Sequence, residues 1–269
     1  MHNHHAHEPA GGLGIDLLPL LPFLLFIGLY LFAVIWSNRK HRKWPLYRSV
    51  FWVAGVVFAA AAVTGPIATL AHTDFTAHML GHLLLGMLAP LLLVLSAPVT
   101  LLLRTLNVQT ARKVTKVLQL RIFSFFTDPA VASILNIGGL WVLYTTNLYH
   151  AMHDSMLLHS LIHFHVFAAG YLFTISLIYI DPTPHRRSYV YRMIVFIFAL
   201  AGHGILSKYI YANPPAGVPS SQAESGGMLM YYGGDAIDIM IIIILCYQWY
   251  KATRPKTSQV LAHQNSGAY

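Results

Sequence analysis

Ala77-His78-Met79-Leu80-Gly81-His82-Leu83-Leu84-Leu85-Gly86-Met87-Leu88-Ala89-Pro90-Leu91-Leu92-Leu93-Val94-Leu95 contains no Asp, Glu, Lys or Arg. A bilayer core about 30 Å thick takes roughly 20 apolar residues of helix. The run has that length and none of the alternation of a half-buried strand. It therefore reads as the centre of a transmembrane helix over about 76–98, with two imidazoles four residues apart on one face. Six further stretches read the same way, at about 15–36, 49–71, 130–149, 156–179, 190–211 and 232–250. The expected fold is all-α: a polytopic membrane protein built as a bundle of seven transmembrane helices. Pro22, Pro66 and Pro90 are expected to kink the first three.

Composition points the same way. The 269 residues are 56% hydrophobic and only 10% charged, whereas roughly a quarter of a soluble chain is charged. A single cysteine excludes a disulfide scaffold and a thiolate metal cage. The net charge of +8 would suggest nucleic acid in a soluble chain, but its distribution reports topology instead. Arg39, Lys40, Arg42, Lys43 and Arg48 follow the first span, and Arg104, Arg112, Lys113, Lys116 and Arg121 follow the third. Arg186, Arg187 and Arg192 flank the link after the fifth, and Lys251, Arg254 and Lys256 follow the seventh. Only Lys208 falls on the other side. The positive-inside rule then places the N-terminus outside and the C-terminus in the cytoplasm, with no nucleic-acid partner. The expected organisation is a His-rich extracytoplasmic tail at 1–14, a membrane domain at 15–250 and a cytoplasmic tail at 251–269. No cleavable signal peptide is expected, because the N-terminus carries His rather than Lys or Arg. The segment 99–129 reads as an interfacial amphipathic piece. The Pro- and Gly-bearing stretch 212–231 reads as an outer loop.

This topology sorts the histidines. His41, His185 and His263 fall on the cytoplasmic side, and the remaining thirteen of 16 fall outside or in outer halves of helices. His78 and His82 open the third span and His159 and His163 the fifth, both at i, i+4. His150 and His153 close the fourth at i, i+3. His203 lies in the outer half of the sixth, and Asp235 and Asp238 open the seventh. An ionisable group inside a membrane helix is costly, usually faces the bundle interior and points to function. Neutral imidazole suits copper, zinc, iron and nickel, and Met79, Met152, Met156, Met228 and Met230 at the same end tilt the choice toward Cu(I). The candidate metal ligands are therefore His78, His82, His159, His163, His203, His150, His153, Asp235 and Asp238, with the carboxylates as ligands or as partners that orient imidazoles. For any one histidine alone, a hydrogen-bonded or interfacial role competes. His165 is read as structural and Cys246 as a small buried hydrophobe, while His72 and Asp74 read as loop residues, with ion capture or support of the ligands as the alternative. The tract His2, His4, His5 and His7 is either a metal-collecting arm or a solvated tail.

These residues resemble the CtaG family of cytochrome c oxidase assembly factors. The resemblance rests on His78-Met79-Leu80-Gly81-His82-Leu83-Leu84-Leu85 with Ala89-Pro90 and Ala97-Pro98, and on His159-Ser160-Leu161-Ile162-His163 with Gly170. It rests also on Gly226-Gly227-Met228-Leu229-Met230-Tyr231-Tyr232-Gly233-Gly234-Asp235. It spans about 50–250. Where many members carry Asp-Gln before the glycines, this chain has Ser221-Gln222-Ala223-Glu224. The resemblance implies a seven-helix protein of the bacterial cell (inner) membrane that binds copper at its outer face and delivers it to haem–copper oxidase subunits. It also implies a non-enzymatic role. A zinc-dependent membrane hydrolase and a haem-binding membrane protein are the competing readings, and whether the chain forms a homo-oligomer is left open.

Overall fold

A computed structural model describes residues 18–254. The His tract at the N-terminus, the 1–14 tail and residues 255–269 lie outside the described residues. Among the described residues every regular element is helical. After a 3₁₀ turn at Leu18–Leu20, α1 (Leu21–Lys40) and α2 (Leu46–Val63) pair antiparallel, and Thr64 breaks the chain before α3 (Gly65–Ala71). The third span is α4 (Phe75–Leu83), a π turn at Leu84–Leu88, and α5 (Ala89–Leu95). Pro90 has no N–H to offer the Gly86 carbonyl four residues back, and the wider turn in front of it absorbs that loss. Pro22 and Pro66 sit in the first turns of α1 and α3, where a missing N–H costs nothing, so neither kinks a helix interior.

The segment expected to lie along the interface breaks into α6 (Pro98–Thr105), α7 (Val108–Leu118) and α8 (Arg121–Phe126). No residue of α7 or α8 is buried, and Val108, Val117, Ile122 and Phe125 are exposed. The fourth apolar stretch is not one straight helix. It runs as α9 (Pro129–Ser133), a π turn at Ile134–Gly138 and α10 (Gly139–Thr145), then turns by 78° into α11 (Leu148–Asp154). His150 and His153 therefore belong to a separate short helix rather than to the end of the span. The last three long helices are α12 (Met156–Leu177), α13 (Tyr189–Ala212) and α14 (Ser220–Thr253).

The outer loop expected at 212–231 shrinks to 213–219, because residues 220–231 are already helical. The glycines that suggested a loop let α14 approach its neighbours. A Cβ on Gly226 would meet Phe75 and Met79, and one on Gly227 would lie 2.9 Å from the Ser207 carbonyl. Packing against α4 and α13 thus overrides the weak helix propensity of glycine. Cys246 is likewise corrected: Leu245 is fully buried, and Cys246, one position on, faces outward and is exposed.

Six helical runs are long and apolar enough to cross a membrane: 18–40, 46–71, 75–95, 156–177, 189–212 and 220–253. The bent pair makes up to seven. Many large apolar side chains, such as Leu24, Phe32, Phe198 and Ile243, are exposed, as expected where lipid rather than water is the solvent. The protein is an all-helical membrane protein. Its basic links meet at one end, where Arg104 donates to the Arg42 carbonyl (2.6 Å) and Arg187 pairs with Asp128 (2.8 Å). There the Asp181 carboxylate also accepts from Val99 N, Thr100 N and Thr100 Oγ1, holding the start of α6. The histidines gather toward the other end.

Candidate metal-handling site

The first turns of α12 place His159 and His163 on one face, and their rings stack with centroids 4.2 Å apart. His163 Nδ1 lies 2.9 Å from the His159 carbonyl. His72, at the end of α3, stacks on His159 at 5.3 Å and meets His153 of α11 edge-on at 6.5 Å. The 78° bend before α11 is what turns His153 toward α12. These four imidazoles line the mouth of a cavity of about 980 Å³ between α1, α2 and α12, and the thioethers of Met152 and Met156 share its wall. Below the mouth the lining is apolar, with Phe23, Trp52, Phe167 and Tyr171. From His159 to Tyr171 the groove follows α12 for about 18 Å at 1.5 Å per residue.

His78 sits deeper and is buried. Its Nε2 lies 3.0 Å from the Tyr144 hydroxyl, and Phe75 and Tyr149 close over the ring at 6.0 and 5.0 Å. Its ring is 6.4 Å from that of His163. The partner of the i, i+4 pair goes elsewhere. His82 lines a small pocket with His203, Asp238 and Asn136, all four buried. The Nε2 atoms of both His82 and His203 are buried without a hydrogen-bond partner. Gly234 makes this arrangement possible, because a side chain there would collide with the His203 ring.

The nine residues singled out from the sequence thus fall into unequal sets. His153, His159 and His163 share the groove mouth, His78 lies between, and His82, His203 and Asp238 form the inner pocket. His150 is exposed, and its Nδ1 approaches the chain at Gly217 in the 213–219 link. Asp235 is half-buried one turn before Asp238. His165 bonds the Leu135 carbonyl at 3.2 Å, the structural role expected of it. Asp74 caps α4 by accepting from Ala77 N. Of the methionines, Met79, Met152 and Met230 are buried in the core, whereas Met156 is exposed.

The sequence singles out neither Tyr144 nor Asn136, reads His72 first as a loop residue, and shows Gln222 only where the chain departs from the family pattern. Tyr144 and Asn136 are polar groups inside an otherwise apolar run, a signal that cost alone could have flagged. Gln222 accepts from Phe75 N (2.9 Å), tying the start of α14 to the start of α4. Nothing local marks His72, since its neighbours come from distant helices. Among the described residues no three His, Cys, Asp or Glu side chains stand at ion-holding positions. At the mouth His159 stacks on both His72 and His163, and His153 meets His72 edge-on.

Comparison with known proteins gives the arrangement its context. No solved structure matches. The chain is 28% identical over 262 residues to an uncharacterised protein of Mycobacterium leprae (strain TN), covering 87% of this chain and 38% of that one. It is 28% identical over 257 residues to uncharacterised proteins of Mycobacterium bovis and Mycobacterium tuberculosis, covering 85% of this chain and 38% of each. The chain therefore spans well under half the length of these relatives. The family model described as cytochrome c oxidase caa3 assembly factor (Caa3_CtaG) matches residues 28–252. With most of its length matched, the chain belongs to the Caa3_CtaG family of cytochrome c oxidase assembly factors.

Proposed function

We propose that the protein takes up copper on the extracytoplasmic side of a bacterial cell membrane and passes it to subunits of a haem–copper oxidase during assembly. One observation carries this reading: imidazoles from three separate helices, His72, His153, His159 and His163, meet at one accessible groove mouth beside the exposed Met156, with Met152 in the wall behind. Nitrogen–thioether surroundings favour copper, as Cu(I), over zinc. His72 and His153 are exposed and His159 and His163 half-buried, so an ion can reach all four. The Nδ1 atoms of His153 and His163 lie 2.9 Å from the carbonyls of Tyr149 and His159, which leaves Nε2 for the ion, and a cargo site that must release its ion is served by few ligands rather than a rigid four-ligand cage. The orientation follows from the basic end, which the positive-inside rule assigns to the cytoplasm. The family match supports the oxidase as recipient and adds nothing for a zinc hydrolase or a haem protein.

The test is direct. Detergent-purified full chain is expected to bind copper stoichiometrically, and the double variant His159→Ala/His163→Ala to lose at least one equivalent. Cells carrying the variant are expected to assemble oxidase with less copper. A purified chain that binds no copper removes the reading.

A further inference from the structure

The inner pocket formed by His82, His203, Asp238 and Asn136 is separate from the groove mouth. Its room is about 10 Å³, close to the least that holds one water molecule. A hydrated ion, an anion such as phosphate or any organic ligand is excluded. Yet two of its lining residues, His82 and His203, have buried Nε2 atoms without a partner, a condition that buried polar groups rarely keep without a ligand or an ordered water. A carboxylate, Asp238, lies in the same wall within the membrane-spanning part of α14.

The pocket is also connected. A second small void is lined by His163, His78, Tyr144 and His82. His163 therefore borders both this void and the groove, and His82 borders both this void and the inner pocket. A line of imidazoles leads from the accessible mouth to the buried end.

We propose that His82 and His203 form an inner holding site for one desolvated copper(I) ion, balanced by Asp238 and loaded from the groove mouth past His163 and His78. This rests on the copper reading above and deepens it by dividing the histidines into an entry site and a holding site. Two imidazole nitrogens suffice for copper(I), which accepts linear two-coordination, whereas zinc asks for four ligands. Charge points the same way. One carboxylate cancels a single positive charge, and a divalent ion would leave net charge inside the bilayer, where it is costly. Asn136 adds a polar contact without adding charge.

The experiment loads detergent-purified full chain with copper(I) under anaerobic reducing conditions against a colorimetric chelator, and counts ions per chain. His82→Gln/His203→Gln, which keeps polar side chains of similar reach, is expected to lose one equivalent relative to the unaltered chain while the mouth equivalent stays. Asp238→Asn is expected to weaken retention of the inner ion at least tenfold. His163→Ala is expected to slow loading of the inner ion without abolishing it. X-ray absorption on the His159→Ala/His163→Ala chain is expected to show copper with two nitrogen neighbours, a reading that does not depend on the inner variants folding. An inner double variant that keeps the full copper count overturns the proposal and assigns the pocket to a bridging water, leaving the mouth site standing. A chain that binds no copper in any form overturns both readings together.

Discussion

At the scale of single residues, identical spacing leads to different fates. His78 and His82 share a helix face, yet one is held by a tyrosine hydroxyl and the other looks into a pocket with two unpartnered nitrogens. Tyr144→Phe leaves His78 Nε2 buried without its partner, and losing such a bond costs about 1–3 kcal/mol. The expected result is a lower unfolding temperature in detergent, with the groove-mouth copper retained. An unchanged melting curve would show that the Tyr144–His78 contact contributes nothing. Gly234 poses the opposite problem. A methyl at that position collides with the His203 imidazole, and overpacking a filled interior costs about 1–3 kcal/mol. Gly234→Ala is expected to lower stability or to displace His203, seen as loss of the inner copper equivalent. Neither loss occurring would mean that the ring is not where the packing places it.

At the scale of elements, the decisive features are breaks and close approaches. Gly170 of α12 faces the backbone carbonyl of Gly86 in the π turn before Pro90, and no side chain fits between them. Gly170→Ala pushes a methyl against backbone, which cannot swing away as a side chain can. The expected penalty is at or above the upper end of the usual overpacking range of about 3 kcal/mol, read as reduced yield of folded protein and a lower melting temperature. At the other end, Asp181→Ala removes the acceptor that holds Val99 N, Thr100 N and Thr100 Oγ1. Loss of a helix cap costs about 0.5–2 kcal/mol, and faster proteolysis within 98–126 is the expected sign. The elements were only partly legible beforehand. The first, second, third, fifth and sixth apolar runs each correspond to one helical run, because twenty apolar residues in lipid have few alternatives to helix. The start of α14 was hidden, since Ser220–Gly227 has loop-like composition and is helical only because Phe75, Met79 and Ser207 lie against its glycines. The bend at residues 146–147 was hidden too, and with it the reason His153 joins the mouth while His150 does not.

At the scale of the whole molecule, the basic links and most of the imidazoles occupy opposite ends, with His41 and His185 among the basic links. The basic links converge around Arg42, Arg104, Asp128 and Arg187, and the imidazoles around the groove mouth. The orientation proposed above makes a prediction in intact cells. On a Cys246→Ser background, Ala216→Cys in the 213–219 link should react with a membrane-impermeant thiol reagent added outside. Thr183→Cys, in the link before α13, should react only after permeabilisation. The reverse pattern would sink the orientation and with it the extracytoplasmic placement of copper uptake.

The sequence by itself determined the membrane class, most of the spans and the segregation of basic residues from most of the histidines. These are properties of composition and of short periodicities, which lipid solvent turns directly into helices. Only the tertiary structure decided which groups share a space. His72 joins His153, His159 and His163, while His82 borders one void with His78 and a second pocket with His203 and Asp238. Helix rotation, a 78° bend and glycine-sized approaches between distant segments set those meetings. They depend on packing between residues far apart in the chain, and no local pattern carries that information.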